Sequence, residues 1–276
     1  MSATPVRLLL DGKAEATVSP FDRGLLYGDG LFETIRFVAG RAPLWARHMR
    51  RLRHGCERLN LPAIDVAQLE SEALSVIDGM AEAVVRITIT RGVGERGYRL
   101  PSKPQPMRLV AAFPTPPSQP DDYRDGVTAR LCALRLASQP LLAGIKHLNR
   151  LEQILARAEW SDPTVFEGLL CDEAGRVISA TMANLFAVID GALMTPALDR
   201  CGVEGVARAE ILAMGDVQVR DLPLDLLWQA EEVFLSSSVR GILPLRTVGE
   251  KAFAAGPHAR ALQQHWRDLG FSGSQA

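Results

Sequence analysis

The chain has 276 residues, of which 47% are hydrophobic and 23% charged, and 31 Lys and Arg residues against 32 Asp and Glu residues give a formal net charge of −1. This content excludes intrinsic disorder, which needs low hydrophobicity and high net charge. The balanced charge argues against a general nucleic-acid binder, which carries a basic excess. The length predicts one large domain or two smaller ones.

The first part of the chain predicts strands with a helix between them. The strand-like runs are VRLLLDGK (6–13), GLFETIRFVAGRAPL (30–44) with Gly40 at a turn, and AVVRITITR (83–91). A helix is predicted from about Leu44 to Leu59, because apolar residues spaced four, three, four and three apart lie on one helical face. These residues are Trp45, Met49, Leu52, Cys56 and Leu59.

A proline-rich segment, FPTPPSQPDD (113–122), divides the chain. Proline removes backbone donors and fixes φ, so this segment is not expected to be a helix or a central strand. We interpret it as a linker between an N-terminal α+β domain, residues 1–112, and a C-terminal α+β domain, residues 123–276.

The second part of the chain predicts several strands and three helices. The strands are VTARLCALRL (127–136), FEGLL (166–170), GRVIS (175–179), NLFAVIDGALM (184–194) and EVFLSSS (232–238); the helices are NRLEQILARAEW (149–160), one from about Gly205, and ARALQQHWRDL (259–269). The order lacks regular βαβ alternation, which favours the α+β class over α/β.

The cysteines and the lengths of the apolar runs indicate the cellular compartment of the protein. The four cysteines form no CxxC pair and match no zinc framework, which predicts buried thiols, a reducing compartment and no metal site. No signal peptide is recognised, and no apolar run approaches the roughly 18 residues that a membrane span requires. We therefore expect a cytoplasmic protein that binds neither nucleic acid nor membrane.

Two segments carry motifs with both a functional and a purely structural interpretation. GVGERG (92–97) matches GxGxxG, but YRLPSKP follows it instead of a helix, so a loop rich in Gly and Arg is favoured over a nucleotide site. In RHMRRLRHGCER (47–58), a solvated helix face explains most of the five arginines. His48 and Arg51 are three apart and share a face, where a guanidinium can pair with a phosphate.

Lys146 lies between an apolar run and the start of a predicted helix. Lysines are mostly exposed, and desolvation lowers the pKa of an amine and makes it a nucleophile suited to Schiff-base chemistry. A surface lysine at a strand end is the alternative interpretation.

Four segments carry a resemblance to a known family: YGDGLFETIR (27–36), RGVGERGY (91–98), AGIKHLNRLEQIL (143–155) and ANLF (183–186). Together they resemble the fold-type IV enzymes that use pyridoxal 5'-phosphate, in the same order from about residue 7 to 250. The resemblance implies a two-domain α+β fold of the D-amino acid aminotransferase type. It also implies a homodimer whose active sites lie near the subunit interface.

The resemblance implies roles for the cofactor-binding residues. Lys146 would form the Schiff base with the cofactor and then move the proton, and Arg51, which closes an HxxR pattern, would hold the phosphate. Backbone amides of Val206 and Ala207 and the hydroxyl of Ser238 would add phosphate donors. The residues implied on the substrate side are Tyr27, Phe32, Arg36, Arg91 and Tyr98.

One position departs from the family pattern. The family usually has a glutamate 33 residues after the lysine, paired with the pyridine nitrogen, and here GRVISATMANLF (175–186) places Ser179 there. A carboxylate keeps that nitrogen protonated, whereas a serine hydroxyl can hydrogen-bond the neutral nitrogen and gives a weaker electron sink. We expect Ser179 to favour elimination over amino-group transfer; the substitution is equally compatible with reduced activity.

The resemblance implies a lyase that converts 4-amino-4-deoxychorismate to 4-aminobenzoate and pyruvate in folate biosynthesis, and KHLNRLEQ is the string most specific to it. The alternative of the same fold is an aminotransferase acting on D-alanine or branched-chain amino acids. A non-catalytic cofactor-binding or interaction protein is a third interpretation, which has no chemical need for Lys146. A two-domain α+β protein with a basic helix remains if the resemblance misleads.

Overall fold

The computed structural model describes residues 4–117 and 119–271. The strands are β1 (Arg7–Leu10), β2 (Gly30–Val38), β3 (Glu82–Thr90), β4 (Met107–Phe113), β5 (Val127–Leu136), β6 (Glu167–Asp172), β7 (Val177–Ala180), β8 (Asn184–Ile189), β9 (Ala192–Pro196), β10 (Val217–Arg220), β11 (Glu232–Ser237), β12 (Gly241–Val248) and β13 (Lys251–Ala252). The helices are α1 (Arg23–Tyr27), α2 (Trp45–Arg58), α3 (Val66–Val76), α4 (Pro120–Arg124), α5 (Leu151–Arg157), α6 (Val206–Ala213), α7 (Leu224–Leu227) and α8 (Pro257–Asp268).

The chain divides into two compact units. The first runs to Pro116 and includes Ile145–Asn149, and the second comprises Pro117–Gly144 and the chain from Arg150 onward. The expected boundaries placed Lys146 in the C-terminal domain, whereas its segment groups with the first unit. The predicted domain ends, residues 1–3 and 272–276, lie outside the described residues.

The first unit is built on an antiparallel sheet in the order β1-β4-β3-β2. The longest pairing, β2 with β3, runs in register from Gly30 opposite Thr90 to Val38 opposite Glu82. Its core joins strand residues to the apolar faces of α2 and α3. The predicted helix is confirmed, and three residues of its apolar stripe, Met49, Leu52 and Cys56, are buried.

The alternation of β2 decides which side chains meet α2. Leu31, Ile35 and Phe37 pack in the core that α2 shares. Because successive side chains of a strand point to opposite faces, Glu33 lies on this helix-covered face, and Phe32 lies on the other. The strand therefore presents a carboxylate to α2 and an aromatic ring to the opposite side.

The segment around Lys146 adds to the edge of β2. The amide of Phe32 donates to the carbonyl of Lys146 at 3.0 Å, and the amide of Leu148 donates to the carbonyl of Gly30 at 3.0 Å. These backbone bonds explain why Ile145–Asn149 belongs to the first unit. They also place Lys146 beside Phe32 without the help of side-chain contacts.

The second unit contains a nine-stranded mixed sheet in the order β10-β9-β8-β11-β12-β5-β6-β7, with β13 paired to β12. Neighbouring residues of β6 face different clusters: Leu169 joins the larger core, and Leu170 packs with Cys132 and Ile178. The strands and helices predicted for this part of the chain are confirmed, with ends that shift by a few residues, except that the run predicted as a strand over 184–194 forms two antiparallel strands, β8 and β9, with a turn at Asp190 and Gly191. The α+β prediction is confirmed for the fold as a whole.

Several elements were absent from the sequence-based prediction, notably α3, β4 and β12. The predicted linker 113–122 is also partly ordered, because Phe113 ends β4 and Pro120 begins α4. Proline is tolerated at the first helical position, where its missing N–H has no helical partner to lose. Residue 118 of this linker lies outside the described residues.

Two further observations concern the whole of the described chain. The four cysteines are buried and unpaired, as predicted. Among the described helices, none combines the length and the apolar character needed to cross a membrane.

Candidate active site

Lys146 and Phe32 form the centre of the candidate site in the first unit. The Nζ atom of Lys146 lies 4.2 Å from the centroid of the Phe32 ring. A cation over an aromatic face is attracted by the negative charge of the π-system. The ring therefore gives the amine a defined, partly apolar position, in agreement with the apolar setting predicted for Lys146.

Arg86 lies against the same ring and was not predicted from the sequence as a site residue. Its guanidinium carbon lies 4.1 Å from the Phe32 centroid, and its Nε donates to the hydroxyl of Thr88 at 3.4 Å. Burial lowers the pKa of Arg86, and no carboxylate of the described residues pairs with it. A half-buried guanidinium of this kind suits a carboxylate or phosphate ligand.

The sequence around Arg86 gives no sign of a functional role. In AVVRITITR it occupies a polar position of an alternating strand, where a charged side chain normally faces water. The available signal was its register, since Arg86 lies opposite Thr34, one residue past Glu33 and two past Phe32 on β2.

Arg51 is held by a buried carboxylate. Its Nε donates to Oε1 of Glu33 at 2.8 Å, and its Nη2 donates to Oε2 at 2.5 Å. The Nδ1 atom of His48 lies 2.6 Å from the same Oε2. His48 and Arg51 share one face of α2, as their spacing of three residues predicted, and the structure shows that this face meets β2.

The electrostatics of this cluster follow from burial and pairing. Burial raises the pKa of Glu33, but the charge of Arg51 and the hydrogen bonds from Arg51 and His48 outweigh it and lower the pKa to about 2. Burial lowers the pKa of His48, although the hydrogen bond with Glu33 opposes this. Glu33 is therefore ionised at neutral pH, and His48 is favoured in its neutral form.

Two arginines predicted on the substrate side have partners within the protein instead. Arg36 is buried, and its Nη2 donates to Glu82 at 2.9 Å. Arg91 is buried and forms a fork with Asp29, with distances of 2.7 and 3.0 Å. Arg91 also donates to the carbonyl oxygens of two residues at the end of α2, Leu59 and Asn60, at 2.7 and 2.8 Å.

Each guanidinium thus has a carboxylate partner within the protein, Glu82 for Arg36 and Asp29 for Arg91. The substrate roles expected for these two arginines stay predictions. The alternating strand pattern showed the charges but not their partners, which come from other strands and turns.

Tyr27 and Tyr98 are brought together, with ring centroids 5.4 Å apart in an edge-to-face arrangement. Tyr98 is 83% exposed, whereas Tyr27 is half-buried. The loop that carries Tyr98 is held by Arg23, which donates to the carbonyl of Gly97 at 3.0 Å. As predicted, no helix follows the GVGERG motif before β4, so this loop lacks the helix that a dinucleotide site requires.

In the second unit, Ser179 lies in β7 opposite Leu170 of β6 and is 8% exposed. Near it in sequence, the hydroxyl of Thr181 donates to the carboxyl group of Glu167, which also accepts from the amide of Gly168 at 2.9 Å. Burial raises the pKa of Glu167, against the opposing effect of these hydrogen bonds. The position that carries a carboxylate in the resembled family thus carries a hydroxyl here.

The start of α6 and the turn after β11 hold the other predicted phosphate donors. Val206 and Ala207 are buried in the first turn of α6, where backbone amides have no helical acceptors. Gly205 caps the helix, and a Cβ there would lie 1.9 Å from Oδ1 of Asn184, so only glycine permits this approach. Ser238 lies in the turn between β11 and β12.

Comparison with known proteins identifies the family. The family model described as amino-transferase class IV matches residues 30–248. A solved structure of 4-amino-4-deoxychorismate lyase from Pseudomonas aeruginosa is 45% identical, with a TM-score of 0.90 over 95% of this chain and 98% of that one. An aminodeoxychorismate lyase of Vibrio harveyi is 35% identical over 241 residues, which cover 86% of this chain and 89% of that protein.

A relative with a different name matches as much of the chain at lower identity. It is a putative branched-chain-amino-acid aminotransferase of Methanocaldococcus jannaschii, 29% identical over 96% of both proteins. Lyases and aminotransferases thus share this fold and much of this sequence. The family match over most of the chain shows that this protein belongs to the class IV amino-transferases.

Proposed function

We propose that this protein is an aminodeoxychorismate lyase that uses pyridoxal 5'-phosphate and releases 4-aminobenzoate and pyruvate for folate biosynthesis. The observation that carries the proposal is the 45% identity with the Pseudomonas aeruginosa lyase over 95% of the chain. The placement of an amine and a carboxylate-free guanidinium on one aromatic ring supports it, because the substrate carries two carboxylates.

The residues present fit this cofactor. The first unit offers an amine, Lys146, and a fixed guanidinium, Arg51; the second offers the amides of Val206 and Ala207 at a helix start and the hydroxyls of Ser179 and Ser238. As the resemblance implies, Arg51, the two amides and Ser238 stay the predicted phosphate ligands, and Ser179 stays the predicted partner of the pyridine nitrogen; within each unit their chemistry suits these roles. Lys146 would attach the cofactor covalently.

When bound, pyridoxal phosphate withdraws electrons from the carbon that bears the substrate amine. The substrate amine would first displace Lys146 from the cofactor, and the freed amine of Lys146 would then accept the proton from that ring carbon. The bond between the neighbouring carbon and the pyruvate oxygen breaks, and the ring becomes aromatic. Lys146 would return its proton to the departing enolate to give pyruvate, and its neutral amine would then displace 4-aminobenzoate from the cofactor, which restores the starting attachment. Phe32 keeps the amine beside the ring carbon and limits its access to water.

Arg86 is the proposed partner of a substrate carboxylate, in place of Arg36 and Arg91. Its guanidinium shares Phe32 with Lys146, so the anion and the reacting carbon would be held over one ring. Tyr27 and Tyr98 remain predicted substrate-side residues, and their edge-to-face pair supplies an aromatic surface for a flat product.

The alternative is an aminotransferase acting on D-amino or branched-chain amino acids, which the similarity to the Methanocaldococcus jannaschii protein favours. Ser179 favours the lyase. Amino-group transfer depends on a protonated pyridine nitrogen, whereas the elimination gains driving force from the aromatic product.

We also propose a homodimer. Three apolar side chains of α5 are spaced as one helical stripe and are exposed: Leu151, Ile154 and Leu155 are 71, 61 and 60% accessible. An amphipathic helix whose apolar stripe faces outward is typical of a protein–protein contact, and a second copy of the chain is the proposed occupant. Ile154→Glu is expected to yield monomers by light scattering.

The buried, unpaired cysteines accord with the cytoplasm as the proposed location.

The test of function is incubation of the purified protein with 4-amino-4-deoxychorismate, followed by the fluorescence of 4-aminobenzoate. D-alanine plus a 2-oxo acid is tested in parallel. Turnover of the first alone supports the lyase, and turnover of the second alone overturns it. Lys146→Ala is expected to abolish product formation and, after borohydride reduction, covalent retention of the cofactor as measured by mass spectrometry.

A further inference from the structure

Glu33 is the most deeply buried carboxylate near the candidate site, and the proposed chemistry does not use it. Its side chain is 1% exposed. It meets the Nε and Nη2 atoms of Arg51 with one oxygen each and the Nδ1 atom of His48 with the second oxygen. A carboxylate held on three donors in the interior is costly to bury unless the arrangement is maintained.

The negative charge of Glu33 opposes the binding of a phosphate near Arg51. A carboxylate beside Arg51 neutralises much of the field that attracts a phosphate dianion. Its contribution to an anion site is therefore geometric. Two parallel N–H···O bonds fix the plane of the guanidinium, and with it the directions of all its N–H groups.

His48 completes the arrangement from the same helix. It lies one turn before Arg51 on α2, and its ring is 1% exposed. The hydrogen bond between Nδ1 and Oε2 fixes the second oxygen of Glu33, so the carboxylate cannot rotate about its own axis. A strand residue and two residues of one helix thus determine a single orientation of Arg51.

We propose that Glu33 is a positioning residue for cofactor binding: it orients the guanidinium of Arg51 toward the cofactor phosphate, and His48 locks Glu33 in place. This inference rests on the proposed function, because it requires that the protein binds pyridoxal phosphate. It assigns Glu33 no contact with the reacting atoms.

The chain contains a matched control in the same unit. Glu72 of α3 also forms a two-bond fork, with Nε and Nη2 of Arg108, at 2.6 Å for each bond. Glu72 is 8% exposed. It lies on α3, whereas Arg51 and His48 lie on α2, and it is not one of the predicted cofactor-binding residues. Glu72→Gln breaks an equivalent fork, so it reports the loss of stability alone.

The experiment compares Glu33→Gln, Glu72→Gln and the unaltered protein. The dissociation constant and the release rate of pyridoxal phosphate are measured by fluorescence titration, and the bound phosphate is observed by ³¹P NMR. A hydrogen bond to a charged group contributes about 1.5–3 kcal/mol, so Glu33→Gln is expected to weaken binding at least about tenfold and to move the ³¹P resonance. Glu72→Gln is expected to lower Tm without either effect.

Each result decides something. Unchanged or tighter binding in Glu33→Gln overturns the inference, because tighter binding means that the charge of Glu33 matters more than its geometry. Equal weakening in Glu72→Gln also overturns it. If the unaltered protein does not bind pyridoxal phosphate, the proposed function fails and takes the inference with it.

A second pair of variants tests the inference if Glu33→Gln does not fold. His48→Leu removes the donor to Glu33 while leaving Arg51 in place, and is expected to weaken binding about threefold or more. His48→Asn keeps an amide donor near the position of Nδ1 and is expected to restore most of the affinity. The absence of a difference between the two variants contradicts the role of His48 and Glu33.

Discussion

Replacing Arg86 with methionine is expected to separate activity from stability. The variant removes a half-buried guanidinium that no described carboxylate neutralises, while the side chain of methionine can still cover Phe32. If Arg86 binds a substrate carboxylate, a charged pair that contributes about 1.5–3 kcal/mol is lost. The value of kcat/KM should then fall by about 10-fold to 150-fold.

The free energy of unfolding should change far less. The lost attraction between Arg86 and Phe32 is offset because a charge no longer has to be desolvated, so we expect a change below about 1 kcal/mol. Arg108→Met provides the contrast. It leaves Glu72 with no partner for its fork, and should cost about 3 kcal/mol of stability with little effect on kcat/KM where the protein is folded.

The assay is the release of 4-aminobenzoate at several substrate concentrations, with urea unfolding of the same preparations. Unchanged kcat/KM in Arg86→Met would refute the carboxylate-binding role. A loss of stability equal to that of Arg108→Met would show instead that Arg86 supports the fold.

Three further predictions address the remaining features of the site. Ser179→Glu should raise the ratio of D-alanine transamination to lyase turnover, measured on one preparation; a constant or lower ratio contradicts the role given to Ser179. Arg91→Met removes one of the two arginines that pair with Asp29, the other being Arg23, and takes a donor from two carbonyls, so it should lower Tm; an intact Tm with a raised KM would support Arg91 as a substrate residue. The pKa of Glu33 is lowered from 4.5 to about 2, so its stabilising contribution is present above pH 4.5 and is lost as the pH falls toward 2; in Glu33→Gln, the urea midpoint should therefore decline less between pH 5 and pH 3 than in the unaltered protein.

Helices and strands with a clear periodic pattern of apolar residues were predictable from the sequence. The apolar spacing of α2 predicted both the helix and the shared face of His48 and Arg51, because helical periodicity needs no information from elsewhere in the chain. The strong alternation of β3 likewise predicted a strand. The apolar run before Lys146 indicated an amine in an unusual setting, and the structure places it over Phe32.

The partners of charged side chains were not predictable, since they depend on pairing between distant segments. Arg36 and Arg91 appeared available for substrate until Glu82 and Asp29 were seen to neutralise them. Arg86 appeared to be an ordinary polar residue of a strand, and only the sheet register places it at the candidate site. The first unit also takes its last strand-like segment, Ile145–Asn149, from beyond the predicted linker, which no composition change signals.

The position of Ile145–Asn149 in the chain affects the order in which the first unit can fold during synthesis. During synthesis, β2 is made early, yet the backbone groups on its outer edge find their partners only when residues 146–148 emerge, after β5 is complete. An unpaired sheet edge is a template for wrong pairing and aggregation. A fragment that ends at Pro116 would keep this edge open and would lack Lys146. Closure of the sheet and delivery of Lys146 are thus a single late event, so a nascent chain cannot place this amine over Phe32 before the edge is covered.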